Sequence, residues 1–509
     1  MKKSFFLLKV AAFSLCIAAV PNQTKAQPPS QFARHFWINP LSVNYTLSPP
    51  TTNGEWMLAA ARNEEGVKTK NTIAVFKLGH SPSDNNMYGI RADRVIGLPP
   101  TGTTGGLFNP DVEFEVHCIV QSAYPDSNYL ICGSMRKDVD ARQNGMVVVL
   151  DAGLHVLSIR EYPDIETFYF VYAENNRYFV CGNTHNGNGI VMQDNVLSPT
   201  TSTNAYVTTI PWTFHKIKAK ANHGAGPSGI ISVSGSGPRV ESGNQEIGCT
   251  VFNIQGGGFS NIATYKFSPL VNSINSNVVI SNYPQTNDMG LILSVSNRNS
   301  IYTYLFDNYL MTYMQVLMSV PTTVNAAFMI HTNSTYEFKM EDMDCGESRL
   351  AWVGNTISPI TQRKAHYIGM RFSQPLPVSP PFLPTPVKLI NFEPNPPANT
   401  YYSLHKVNFF RDGDREFHAG GYYKHSDNDK TTFVVTPEDV GVLAKECVEE
   451  RESEAKDFER PSVSLLPLTL SCPNAILYDW HTVRYLFCIT DECQIEKCGN
   501  QLNPDQSKK

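Results

Sequence analysis

Two stretches of the sequence, "YLICGSMRKDVDARQNGMVVVLDAG" (129–153) and "YFVCGNTHNGNGIVMQDN" (178–195), share one pattern. Each begins with a mostly apolar run that ends in Cys-Gly, continues through a polar loop, and enters a second apolar run. Short runs rich in Val, Ile, Tyr and Phe between Gly, Asn and Asp are typical of two strands joined in a hairpin. The two stretches therefore predict a repeated β-hairpin.

The same sequence pattern occurs about seven times along the chain. Aligned on the small residue that follows the first apolar run, the copies are anchored at Ala60, Gly133, Gly182, Ser234, Val295, Gly354 and Gly420. A hairpin cannot bury both of its faces alone, so a repeated unit of roughly 50 residues needs stacked neighbours. Repeats of this length built from short strands are typical of propeller blades. We predict an all-β fold, a seven-bladed β-propeller with a short helix and a cysteine-rich C-terminal extension. Tandem β-sandwiches are the alternative, because they also place apolar runs at regular spacing.

An apolar strand that ends in Gly and a small residue, followed by a strand with an Asp near its end, resembles the divergent propeller-like repeats of exported bacterial proteins. The resemblance covers roughly residues 35 to 437 and implies an architecture rather than an activity. Equivalent positions in neighbouring blades should lie too far apart for a disulfide. We therefore expect Cys132 and Cys181 to be buried free thiols. The N-terminal "FARHFWIN" stretch, or a strand from the C-terminal tail, is expected to complete a terminal blade.

The N-terminus has the layout of a secretory signal peptide. Two lysines precede an apolar run, and a polar segment ends at Ala26, so cleavage is expected between Ala26 and Gln27. Lys9 interrupts the apolar run, which argues against a membrane anchor, and the context of Cys16 is unsuited to lipidation. The prediction is a chain that is secreted, periplasmic or at the bacterial cell surface.

Composition narrows the function classes. The full sequence has 509 residues and a net charge of −5, which provides no broad basic surface for nucleic acid. After residue 26 no apolar run is long enough to cross a membrane, so no transmembrane segment is expected in the mature chain. We divide the chain into a signal peptide (1–26), a propeller of about seven repeats (27–437) and an extension (438–509).

The extension combines a predicted helix with a cluster of cysteines. Thr436 and Pro437 fit the start of a helix, and Val440, Leu443 and Val448 recur at helical spacing. Disulfides persist in the compartments to which exported proteins go, and a small terminal segment with little core is often stabilised by them. The disulfide candidates are Cys447, Cys472, Cys488, Cys493 and Cys498. Zinc is the disfavoured alternative, because the sequence has no Cys-x2-Cys pair.

Motifs for chemistry are few. No Gly-x-Ser-x-Gly elbow lies on a strand-turn-helix pattern and no phosphate-binding loop precedes a helix, so we assign no catalytic residue and no cofactor. Asp427, Asp429 and His425 are weak candidates for a metal site, but their spacing is not that of an EF-hand loop.

Three hypotheses for function follow from the fold. The first is an exported binding or scaffold protein that recognises a protein or glycan partner through propeller loops. The second is a polysaccharide hydrolase or lyase, which would require a pair of Asp or Glu side chains at the central channel. The third is a structural component of a cell-surface assembly, which would show an exposed apolar patch on the tail or ring edge. Oligomeric state is not predicted.

Overall fold

The computed structural model describes residues 33–37, 46–47, 56–64, 67–80, 88–100, 107–122, 128–138, 140–174, 176–196, 204–221, 229–239, 245–254, 259–269, 271, 274, 276–282, 291–306, 324, 326–332, 336–346, 349–357, 363–371, 385–392, 401–409, 417–424, 430–435 and 448–483. These residues form strands, turns and bends and contain no helix. None of them belongs to a helix that could span a membrane.

The repeated sequence pattern forms the second strand of each four-stranded unit, and the apolar run that follows it forms the third strand. The second strands are β3 (Trp56–Arg62), β7 (Tyr129–Arg136), β11 (Arg177–Thr184), β15 (Gly229–Ser236), β19 (Leu291–Asn297), β23 (Arg349–Ile357) and β27 (Phe417–Lys424). The third strands are β4 (Thr72–His80), β8 (Asn144–Leu150), β12 (Asn188–Asn195), β16 (Ile247–Asn253), β20 (Ser300–Phe306), β24 (Arg363–Arg371) and β28 (Lys430–Val435).

An inner and an outer strand complete each unit, and all pairings are antiparallel. The inner strands are β2 (Thr46–Leu47), β6 (Glu113–Gln121), β10 (Ile165–Glu174), β14 (Thr213–Ala221), β18 (Val279–Asn282), β22 (Glu337–Cys345) and β26 (Tyr401–Phe409). The outer strands are β5 (Tyr88–Gly97), β9 (Val156–Tyr162), β13 (Asn204–Pro211), β17 (Ser260–Phe267), β21 (Ala326–His331), β25 (Thr385–Phe392) and, for the last unit, the N-terminal β1 (Ala33–Trp37).

The units form a closed ring. Each inner strand contacts the inner strand of the next unit, and β26 contacts β2. The described strands thus form seven four-stranded units around a central channel, which confirms the all-β propeller. The last unit is closed by β1, which pairs with β28 from Ala33↔Val435 to Trp37↔Thr431, as expected for the "FARHFWIN" stretch.

The core lies between neighbouring sheets, where side chains of adjacent units interdigitate. Cys132 and Cys181 are fully buried free thiols there, which confirms that expectation. The Cys132 thiol donates a hydrogen bond to the Phe168 carbonyl of the next unit at 3.7 Å. Units two and three are also joined by Arg160, whose buried guanidinium lies 3.2 Å from the buried Asp194 carboxylate.

The C-terminal extension does not contain the predicted helix where it is described. Five further strands follow the seventh unit: β29 (Val448–Asp457), β30 (Ser464–Leu465), β31 (Leu468–Ser471), β32 (Ile476–Tyr478) and β33 (His481–Val483). β29 pairs with both β21 and β25, and so joins the fifth and sixth units into one nine-stranded sheet. Two open sheet edges offer backbone hydrogen bonds that outweigh a local helical pattern, and the helix prediction is therefore wrong from Val448 onward.

We call residues 448–483 the strap, because they follow the rim of the ring in reverse order. After β29 joins units five and six, β30 adds to unit four, β31 to unit three, β32 to unit two and β33 to unit one. Each of these strands pairs antiparallel with an outer strand. The strap is therefore part of the propeller sheets rather than a separate module.

Candidate functional site

A cavity of about 260 Å³ lies in the central channel. Residues of all seven inner strands or of the segments that enter them line it: Thr46, Val116, His117, Tyr169, Phe170, His215, Lys216, Asn277, Val278, Val279, Glu341, His405 and Lys406. We call it the channel cavity. Because its walls come from every unit, its chemistry depends on closure of the whole ring.

Five of the lining residues occupy equivalent positions, each as the extra residue of a β-bulge in an inner strand. The pairing of β6 with β7 passes from Val116↔Gly133 to Cys118↔Cys132 and leaves His117 unpaired. The same register shift occurs at Tyr169, His215, Glu341 and His405 in their own units. A bulge re-aims its side chain and bends the strand, and these five side chains line the cavity.

The glycine of the repeated sequence pattern lies opposite the bulge. A Cβ built on Gly182 would approach the carbonyl oxygen of Thr167 to 2.0 Å, and one on Gly354 would approach that of Lys339 to 2.3 Å. The structure also corrects the alignment of two copies by one residue. The glycines that pair with the residue before the bulge are Gly235 and Gly421, rather than Ser234 and Gly420.

One wall of the channel cavity is aromatic. The ring centroids of His117 and Tyr169 lie 5.2 Å apart, and those of Tyr169 and His215 lie 6.4 Å apart. Burial lowers the pKa of His117 against the opposing effect of Glu115, and burial lowers the pKa of His215 to about 4. The two imidazoles are consequently neutral near pH 7 and can both donate and accept hydrogen bonds.

The opposite side carries charges. Glu341 lies 3.1 Å from the Lys339 ammonium and 3.9 Å from the His405 ring. Burial by itself raises the pKa of Glu341, but the hydrogen bonds and charges of His405 and Lys339 outweigh it and lower the pKa to about 2. Glu341 is therefore a fixed anion at neutral pH.

Two ion pairs join inner strands of the fourth and sixth units. Lys216 on β14 pairs with Asp342 on β22, and Lys218 pairs with Asp344 two residues further along both strands. Asp342 also accepts the backbone N–H of Val407 at 3.2 Å. These carboxylates therefore connect inner strands of the fourth, sixth and seventh units.

The sites named from the sequence lie elsewhere or outside the described residues. Asp427, Asp429 and His425 lie outside them, as do Cys447, Cys488, Cys493 and Cys498. Cys472 is described and is an exposed free thiol just after β31. Within the described part of the chain, no three His, Cys, Asp or Glu side chains form a metal-binding group.

Comparisons with known proteins find similarity among solved structures. No family model matches it, and no curated protein matches it. Among solved structures the chain is similar to one described as the structure of the Dos1 propeller, with 10% sequence identity and a TM-score of 0.42 over 79% of this chain and 94% of that chain. The assignment of the architecture rests on the strand pairings given above.

Proposed function

We propose that this chain is an exported binding or scaffold protein of the bacterial cell surface that recognises a protein or glycan partner, with the channel cavity as its recognition site. The observation that carries the proposal is the set of five bulge residues, which brings side chains from five units to one cavity. Converging polar and aromatic groups in a concave site are typical of ligand recognition.

The state of Glu341 argues against the hydrolase alternative. A glycosidase needs a carboxylic acid with a raised pKa as its proton donor, and a second carboxylate beside it. Glu341 is the carboxylate that lines the channel cavity, and its pKa is lowered to about 2. Asp342 and Asp344, on the same inner strand, hold lysines of the fourth unit. The arrangement suits recognition better than proton transfer.

The test combines binding with cleavage. The mature protein is run through gels that contain cell-surface polysaccharides, is mixed with purified envelope proteins, and is assayed for released reducing ends. We expect retention by a glycan or complex formation with a protein, and no cleavage. The double variant His117→Ala/Tyr169→Ala should lose that binding, whereas Leu107→Ala, an exposed position outside the cavity, should keep it. Release of reducing ends that depends on Glu341 would overturn the proposal.

A second candidate function, docking into a cell-surface assembly, is favoured by the strap. Residues 461–478 contain no Asp, Glu, Lys or Arg. Within the described residues β30, β31, β32 and β33 each have one neighbouring strand, so each presents a free edge. Five large apolar side chains are exposed along this part of the strap: Leu465, Leu470, Ile476, Leu477 and Trp480. Natural edge strands usually carry charges that prevent pairing with other chains.

An extended, uncharged segment of an assembly partner fits this edge, because it can add a strand and cover the apolar side chains. Leu470 is 73% exposed and Leu477 is 56% exposed, so replacing them with lysine should not disturb the core. We expect Leu470→Lys/Leu477→Lys to move the protein from the assembled envelope fraction to the free fraction. His117→Ala/Tyr169→Ala should leave that distribution unchanged. An unchanged distribution of the lysine variant would contradict the docking role.

A further inference from the structure

Lys406 is a channel cation without a carboxylate partner among the described residues. It lies on β26, lines the channel cavity and is half-buried. Its ammonium group contacts the face of Phe170, 5.0 Å from the ring centroid. Three other lysines of the channel region, Lys216, Lys218 and Lys339, each have a carboxylate within ion-pair distance.

One of the two lysines that line the cavity has no carboxylate partner among the described residues. Lys216 is paired with Asp342, whereas no described carboxylate lies within ion-pair distance of Lys406. Burial, followed by the repulsion of Lys406 and Lys218, holds the pKa of Lys216 well below its ordinary value. An anionic group in the cavity would relieve this repulsion, and a half-buried ammonium gains most from a partner that is also shielded from water.

The aromatic side chains of the cavity indicate the chemistry of the rest of the ligand. His117, Tyr169 and His215 present three rings from three successive units. Tyr169 also lines the cavity, and its hydroxyl can donate a hydrogen bond to a ligand or accept one from it. Aromatic rings with polar edges pack against the C–H face of a flat ligand and hydrogen-bond its rim. A pyranose ring has such a face and a rim of hydroxyls.

The size of the cavity limits how much of a ligand it can hold. Its volume of about 260 Å³ lies just below the roughly 300–1,000 Å³ of sites that enclose drug-sized ligands. One monosaccharide ring fits such a space, whereas several successive rings of a polysaccharide do not. The cavity therefore has room for a single sugar residue.

We propose that the channel cavity binds one uronic-acid residue of an acidic polysaccharide, with the carboxylate on Lys406 and the sugar ring against His117, Tyr169 and His215. This inference rests on the proposed binding function and specifies its ligand. The face of the Phe170 ring contacts the Lys406 ammonium group. The neutral imidazoles of His117 and His215 supply donors and acceptors for the hydroxyls.

The test is isothermal titration calorimetry of the full mature chain with three probes of similar length. These are a glucuronic-acid-containing oligosaccharide, the matching neutral glucose oligosaccharide and an oligo-glutamate peptide. We expect measurable binding of the acidic oligosaccharide alone. A charge-assisted hydrogen bond of this kind is typically worth a factor of about ten to a hundred in affinity, so Lys406→Met should weaken binding by that factor.

Lys266→Met is the matched control, because this lysine lies on an outer strand and pairs with Glu246 at 2.9 Å. It should bind like the unmodified chain, and thermal denaturation should show that Lys406→Met is folded. Equal binding by Lys406→Met, or binding of the neutral oligosaccharide or the peptide in place of the acidic one, overturns the uronic-acid inference and leaves the proposed binding function standing. Failure of every glycan and protein in the wider panel overturns the proposed function itself.

Discussion

The Gly133 Cα lies so close to the backbone of Glu115 that a Cβ added to it would stand 1.8 Å from the Glu115 carbonyl oxygen. Gly133 belongs to the second strand of its unit and Glu115 to the inner strand, two residues before the bulge at His117. The bulge pushes the inner-strand backbone over the second strand and turns His117 into the channel. The glycine of the repeat and the residue that lines the channel are thus two consequences of one local geometry.

Replacing such a glycine should therefore destabilise the ring. In Gly182→Ala the new Cβ would meet the Thr167 carbonyl oxygen at 2.0 Å, and backbone cannot move aside cheaply. We expect the free energy of unfolding to fall by at least about 2 kcal/mol, as in overpacked cores. Urea denaturation followed by tryptophan fluorescence measures this change.

Gly237→Ala is the control for this substitution. The nearest atom to its added Cβ is a Trp212 ring carbon at 3.6 Å, an ordinary contact distance. It should change the free energy of unfolding by less than about 0.5 kcal/mol. Similar losses in both variants would mean that the close backbone approach at the bulge is not the reason why this position needs glycine.

The buried ion pair between the second and third units gives a second prediction. Arg160 and Asp194 are fully buried, and Tyr162 and Tyr178 also donate hydrogen bonds to Asp194, at 2.8 Å and 3.0 Å. Arg160→Met leaves the buried carboxylate without its cation, and removal of one partner of such a pair costs about 3–5 kcal/mol. We expect a loss of this size in chemical denaturation.

The double variant Arg160→Met/Asp194→Leu should recover part of that loss, because it removes both buried charges. The partly exposed pair of Lys266 and Glu246 provides the comparison, and Lys266→Met should cost at most about 1 kcal/mol. A double variant that is less stable than Arg160→Met would show that the tyrosine hydrogen bonds to Asp194, rather than the charge pair, dominate.

Glu341 should make stability depend on pH in acid. Its pKa is about 2 in the folded chain against an ordinary value of 4.5, so the unfolded chain takes up the proton first as the pH falls. The stabilisation is complete above pH 4.5 and is lost between there and pH 2, with an upper limit of about 3 kcal/mol.

We therefore expect Glu341→Gln to be less stable than the unmodified chain at pH 6, with the difference shrinking towards pH 2.5. Denaturation curves at several pH values measure it, and Glu246→Gln, which alters a partly exposed ion pair, serves as the control. A difference that is constant across this range would contradict the assignment of Glu341 as a paired anion.

Only side chains on one side of the strap should pack into the core and stabilise it. Leu466 is 2% exposed and belongs to the core between units two and four, whereas Leu470 is 73% exposed. Leu466→Ala should lower the free energy of unfolding by about 2–5 kcal/mol, and Leu470→Ala should change it by less than about 0.5 kcal/mol. Equal effects on the melting temperature would show that the strap does not pack on the ring in this way.

Much of the ring could be predicted from the sequence, because each unit repeats a local pattern. The repeated pattern that begins at Tyr129 and again near Tyr178 forms the second strand of each of these two units. The N-terminal stretch at Ala33 closes the last unit. The predicted helix after Thr436 is wrong where the strand β29 is described, because the edges of two units about 55 to 130 residues upstream decide the structure of Val448–Asp457. A local pattern does not contain that information.

The channel residues were missed for a related reason. His117 and Tyr169 stand at different distances from the glycines of their units, since the hairpins between them differ in length. Their shared role becomes visible only when the register of the inner strand against the glycine is known. The signal available in the sequence was the glycine, which marks where the bulge lies once the strands are paired.

The most direct test of the binding site is whether a ligand enters the channel. Side-chain ¹⁵N resonances of the histidines, assigned with single His→Gln variants, are followed while the glucuronic-acid oligosaccharide is added. We predict that His117, His215 and His405 shift together and saturate, while His331 and His366, which do not line the channel cavity, stay in place. Binding recorded by calorimetry without any shift of the three channel histidines would contradict it.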